Sequence, residues 1–204
     1  MKLFLTSYLA GTKKLVNDFL SALQPKEIVF VPTAANVEAY RGYVDEAVAA
    51  FQEMGFELRM LDVSRAEPED AFSVIGTCRC LYVSGGNTFY LLQELKKKGL
   101  VEVIKSRVND GMLYIGESAG AIIASHSVEY SQIMDDRSVA AELEDCFGLG
   151  LVDYCVLPHN GEFPFVEAAA ETIARYGEKL NLVPLNNCEA VVVDGNGYSV
   201  RLEG

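Results

Sequence analysis

Histidine is scarce in this chain of 204 residues, with two in all, and basic residues are outnumbered, 17 Lys and Arg against 29 Asp and Glu. The second shortage argues against a nucleic-acid binder, because neutralising phosphates supplies most of that affinity and a net charge of −12 opposes it. No apolar stretch approaches the roughly 20 residues that cross a bilayer. The segment Met1 to Tyr8 also lacks the long apolar region and small-residue cleavage site of a secretory signal. A cytoplasmic protein is the expectation. Cys78, Cys80, Cys146, Cys155 and Cys188 are odd in number and scattered through apolar stretches, the pattern of reduced thiols. Only Cys78 and Cys80 are close together, and a zinc site would need further Cys or His ligands at short spacing.

What is present is apolar and patterned. At 50% hydrophobic, the chain can bury one substantial core, so residues 1–204 are expected to form a single domain. Short apolar runs alternate with segments of helical period, which predicts an α/β protein with a mostly parallel sheet between helices. Strands are expected near Lys2–Thr6, Glu27–Pro32, Glu57–Leu61, Cys80–Val83, Met112–Ile115 and Tyr154–Leu157. Helices are expected over Thr12–Leu23, Glu38–Met54, Thr88–Lys98 and Val101–Asp110, with Gly55, Gly99 and Gly111 where C-caps belong. Glu189–Val193 and Tyr198–Leu202, around Asp-Gly-Asn-Gly at 194–197, predict a closing C-terminal β-hairpin.

The run Met-Leu-Tyr-Ile-Gly-Glu-Ser-Ala-Gly-Ala at 112–121 has the form of a strand that turns sharply into a helix at Ser118. In such a G-x-S-x-G elbow the central side chain projects from the sheet edge, and glycines flank it because a Cβ there would clash. A serine hydroxyl is a weak nucleophile until a base lies within hydrogen-bond reach. His126 is placed two turns along the helix from Ser118, about 12 Å away at about 1.5 Å per residue, too far to serve. His159, in Leu-Pro-His-Asn-Gly after the strand Tyr154–Leu157, is the base by elimination. A third group should accept the other N–H of His159. Glu129, Asp135, Asp136, Glu142, Glu144, Asp145 and Asp153 are candidates, as are Asn187 and Glu189, and spacing does not choose among them. For an oxyanion, the Ala119 N–H supplies one donor, and the loop Ser84-Gly85-Gly86-Asn87-Thr88 can supply another from Gly85 or Gly86.

Ser84-Gly85-Gly86-Asn87-Thr88-Phe89, Gly116-Glu117-Ser118-Ala119-Gly120-Ala121 and Leu157-Pro158-His159, in this order, resemble the dipeptidase E and cyanophycinase family of serine peptidases. The resemblance implies a fold similar to that of class I glutamine amidotransferases, a three-layer sandwich. It assigns Ser118 as nucleophile, His159 as its histidine, and Gly86 and Ala119 as oxyanion donors. For the acidic member it points to Asp135, with Asn187 as the match near the carboxyl terminus for an alternative assignment. The expected activity is cleavage of small peptides through an acyl-enzyme, with no metal or organic cofactor. The expected partner is a small peptide, with neither nucleic acid nor membrane, and a homodimer is the assembly allowed for.

Reading an aspartyl side chain, as family members do, calls for a cation, ideally arginine, yet Asn160–Ala174 contains no Lys or Arg. Glu117, beside Ser118, adds negative charge. The site is therefore expected to disfavour acidic amino-terminal residues, with Asn87 in the substrate loop and Glu117 holding a cationic group. Two other readings compete. One is an α/β-hydrolase-type esterase, opposed by the short interval from Ser118 to His159 and the missing H-G-G-G motif. The other is a catalytically silent relative that binds a metabolite or partner.

Overall fold

The computed structural model describes residues 1–195 and 197–204, so Asn196 of the expected 194–197 turn lies outside the described residues. In chain order the elements are β1 (Lys2–Thr6), α1 (Lys13–Phe19), β2 (Glu27–Val31), α2 (Gly42–Glu53), β3 (Glu57–Met60), α3 (Pro68–Thr77), β4 (Cys80–Val83), α4 (Thr88–Lys97), α5 (Leu100–Asn109), β5 (Leu113–Glu117), α6 (Ala119–Ile122), β6 (Cys155–Leu157), α7 (Val166–Tyr176), β7 (Leu182–Pro184), β8 (Glu189–Asp194) and β9 (Gly197–Leu202). Seven strands form one sheet in the order β3-β2-β4-β5-β1-β8-β9. The first five are parallel, β8 adds antiparallel to β1, and β9 adds antiparallel to β8 as the expected hairpin.

Alternation along the strands builds the two faces, since successive side chains of a strand point to opposite sides. Leu3, Leu5, Val29, Val31, Leu81 and Val83 enter one apolar core with α3, α4, α5 and α6. Phe4, Ile28, Phe30, Tyr82 and Ile115 enter the other with α1 and α2. In that second core the ring of Phe30 lies 4.4 Å from Tyr82 and edge-on to Phe51 at 6.4 Å, contacts worth about 0.5–1.5 kcal/mol each beyond the area they bury.

Three expectations change. The strand before His159 is β6, which leaves the main sheet to pair in parallel with β7 in a two-stranded sheet. Helix α3 was not anticipated between β3 and β4, although Pro68 in its first turn and Ala71, Val74 and Ile75 on its buried face carry the signal. The helix after Ser118 is only four residues long, so His126 is not on it, and His126 is exposed.

The order β4-β5-β1 matters most for function. In parallel α/β sheets the loops beyond neighbouring carboxyl ends converge, and here Val83 pairs with Gly116 while Thr6 pairs with Glu117. The segments Ser84–Thr88, Ser118 and Ser7–Tyr8 therefore leave the sheet side by side. Close packing of α6 makes this possible. A Cβ on Gly116 would sit 2.4 Å from the Gly120 carbonyl oxygen, and one on Gly120 would sit 2.2 Å from that of Val83. Gly120→Ala is expected to lower stability by about 2 kcal/mol or more, because the added methyl forces the backbone of α6 away from β4. Urea unfolding of the purified variant measures this.

Candidate active site

Ser118 has φ 47° and ψ −107°, a conformation that a non-glycine residue holds only when its surroundings impose it, at a cost of order 1–3 kcal/mol. Its N–H donates to the Thr6 carbonyl at 2.8 Å, and its own carbonyl accepts from Ala121 and Ile122 at 2.9 Å each. The strained turn is thus clamped between β1 and α6, and it sends the hydroxyl out over the sheet edge.

His159 meets it there. Its Nε2 lies 3.0 Å from Ser118 Oγ and its Nδ1 lies 2.9 Å from Asn187 Oδ1. With Nδ1–H donating to the asparagine oxygen, Nε2 is left as the acceptor of the serine proton. Three further features concern His159 and its backbone, and none was anticipated. The His159 N–H donates to Ser7 Oγ at 3.1 Å, and that hydroxyl donates to the Leu185 carbonyl at 2.9 Å. Phe165 stacks on the imidazole with centroids 4.7 Å apart. His159 itself is left-handed, with φ 59°. The only sequence signal for these partners is their place just after β1 and just before α7.

Burial holds the His159 pKa below its ordinary 6.5, against the raising effects of the Asn187 hydrogen bond and the Glu162 charge. The shift favours the neutral imidazole, the form that can accept a proton. Asp135, the expected third member, is elsewhere. Its Oδ2 accepts from the Thr88 N–H at 3.0 Å, at the start of α4, and the side chain facing His159 Nδ1 is Asn187. Asp136 accepts from the Ser138 N–H and hydroxyl at 2.8 Å each, and Glu189 accepts from the Asn186 N–H.

The serine and histidine open into a cavity of about 440 Å³, also lined by Gly85, Gly86 and Asn87. Gly86 has φ 127°, and a Cβ there would lie 2.3 Å from the Ala34 carbonyl, so the loop can pack only as glycine. Among the described residues, neither the Gly86 N–H nor the Ala119 N–H donates a hydrogen bond. Ala119 is fully buried behind Ser118. Asn87 lines the cavity, but its polar atoms are occupied: Oδ1 accepts from Tyr90 N–H at 2.9 Å and Nδ2 donates to the Asp136 carbonyl at 3.0 Å.

The profile of peptidase family S51 matches residues 3–201. The chain belongs to peptidase family S51. It is 42% identical over 200 residues to an uncharacterized peptidase of Pasteurella multocida, covering 98% of this chain and 97% of that one. It is 30% identical over 152 residues to peptidase E of a Nostoc species, covering 74% of this chain and 59% of that one. A solved structure of a candidate peptidase E protein from Listeria monocytogenes superposes with a TM-score of 0.94 at 36% identity, covering 98% of both chains. Among the described residues, no helix of this S51 chain is long and apolar enough to cross a membrane.

Glu117 was expected to hold a cationic group in the cavity, but the S51 chain uses it internally. It is 2% exposed, and its Oε1 accepts from the Leu9 N–H at 2.8 Å while Oε2 accepts from the Tyr82 hydroxyl. The carboxylate thus ties the loop after β1 and the interior of β4 to the residue before Ser118. Burial raises its pKa from 4.5 to about 7, against hydrogen bonds from Tyr82, Leu9 and Gly85 that lower it. A carboxyl whose folded pKa is raised binds its proton more tightly when folded, so its contribution to stability falls as pH climbs from about 4.5 towards 7. Glu117→Gln, which cannot ionise, should gain Tm relative to the parent as pH is raised from 5 to 8. Paired thermal melts across that range would disprove the internal role of this carboxyl if the difference stayed flat.

Proposed function

We propose that this S51 peptidase is a serine hydrolase that cleaves small peptides through an acyl-enzyme on Ser118. The observation that carries the reading is the chain of contacts from Ser118 Oγ to His159 Nε2 at 3.0 Å and from His159 Nδ1 to Asn187 at 2.9 Å. His159 removes the hydroxyl proton as Oγ attacks the peptide carbonyl, then returns it to the leaving amine. Water, activated by the same imidazole, releases the acyl group. The N–H groups of Gly86 and Ala119 are the donors to the developing oxyanion, each worth about 2.7–4 kcal/mol of transition-state stabilisation.

Asn187 replaces Asp135 as the orienting group in this reading. A neutral partner selects the tautomer as an aspartate would, as in papain-like Cys-His-Asn sites, but stabilises the imidazolium less. The cavity of about 440 Å³ suits a small peptide better than a folded chain.

Two measurements test the reading. A fluorophosphonate probe should label Ser118 stoichiometrically, and Ser118→Ala and His159→Ala should abolish labelling. Mass spectrometry that found no adduct at Ser118 would favour the silent-binder reading. With a peptide substrate, the acid limb of kcat/KM should have its midpoint below 6.5, because only neutral His159 is a base. Asn187→Asp places a negative charge on the Nδ1 side, raises the His159 pKa and should move that limb to higher pH. An unmoved limb would remove Asn187 from the proposed triad.

A further inference from the structure

The wall of the Ser118 cavity carries four carboxyl residues, Glu38, Glu117, Asp135 and Asp136, and no Lys or Arg. Two are accounted for: Glu117 accepts from Leu9 and Tyr82, and Asp136 from Ser138. The other two are not. Among the described residues, the Glu38 carboxyl accepts no hydrogen bond and pairs with no cation. Asp135 uses Oδ2 to cap α4 through Thr88 and leaves Oδ1 without a donor. Burial is the main cause that raises both pKa values; for Asp135, hydrogen bonding from Thr88 opposes it and the charge of Glu38 adds to it, leaving the group at about 6.

A third group has the same deficiency. Tyr43 lines the cavity beside Gly85, and its hydroxyl is buried with no hydrogen-bond partner. The charges of Glu38, Glu117 and Asp135 all act on it. Arg41 also acts on Tyr43, but it is exposed and does not line the cavity. Like charges drawn out of water around an unpartnered hydroxyl are costly unless something positive joins them. An ammonium group is compact and has three donors but no acceptor, which matches two carboxylates and a phenol oxygen.

We propose that Glu38, Asp135 and the Tyr43 hydroxyl form the subsite for a cationic nitrogen of the substrate, an ammonium on the amino-terminal residue of the peptide. This deepens the serine-peptidase reading and rests on it. The subsite selects peptides with a free α-ammonium or a lysine-type side chain and repels acidic ones, the role that had been expected of Glu117. The cap that Asp135 makes on α4 explains one of its oxygens and leaves the other for the ligand.

Binding to Ser118→Ala protein, measured by calorimetry, separates this inference from the chemistry, which phosphonate labelling of the parent tests independently. Leu-Leu should bind at least about tenfold more tightly than N-acetyl-Leu-Leu, a difference of about 1.4 kcal/mol, if the α-ammonium is the ligand. N-acetyl-Lys-Leu should exceed N-acetyl-Leu-Leu by the same factor if the side-chain ammonium is. Either preference should collapse to less than about twofold when Glu38→Gln or Asp135→Asn is added. Glu38→Gln leaves the α4 cap intact and suffices should Asp135→Asn fail to fold. Equal affinity for charged and uncharged peptides, no binding of either, or a preference that survives Glu38→Gln would overturn the proposal.

Discussion

The arrangement of this molecule depends on one strained residue and what compels it. Ser118 holds φ 47° because β5 ends against β1 while α6 starts so close that it touches both β5 and β4. The backbone bonds from Ser118 to Thr6, Ala121 and Ile122 offset the strain. Everything in the site is then referred to that turn. The β4 loop reaches it from one side and the β1 loop from the other, because β4, β5 and β1 are neighbours.

A second constraint is the buried carboxyl of Glu117. Placing an acid beside the proposed nucleophile is costly in an apolar interior, and hydrogen bonds from Leu9 and Tyr82 offset part of that cost. In return, the loop after β1 is fastened to β5, and that loop carries Ser7, which positions His159. Phe165 stacks on the ring and Asn187 fixes its tautomer, while Ser7 holds the backbone that carries it. A neutral Asn187 leaves burial to dominate the pKa of His159, consistent with a base that stays unprotonated near neutrality.

The charge pattern of the cavity follows from how its carboxyls are used. Glu117 and Asp136 are absorbed by the fold, whereas Glu38 and one oxygen of Asp135 have no donor among the described residues. A pocket so lined attracts cations, which inverts the polarity needed to read an aspartyl side chain.

Local pattern was enough to read most of the fold. Short apolar runs marked β1, β2 and β4, a strand-turn-strand pattern marked the closing hairpin, and G-x-S-x-G marked the turn at Ser118, because apolar runs and glycine flanks are properties of adjacent residues. The same reading singled out His159 as the proposed base, since the chain offers only one other histidine. Tertiary structure alone decided the rest. Asn187 is 28 positions from His159 and Ser7 is 152, and no spacing rule connects residues brought together by sheet order. Asp135 and Glu117 misled for the converse reason. Both stand where chemistry would use a carboxylate, but whether an oxygen faces ligand or backbone is set by packing around it, at the α4 N-terminus for one and between Leu9 and Tyr82 for the other.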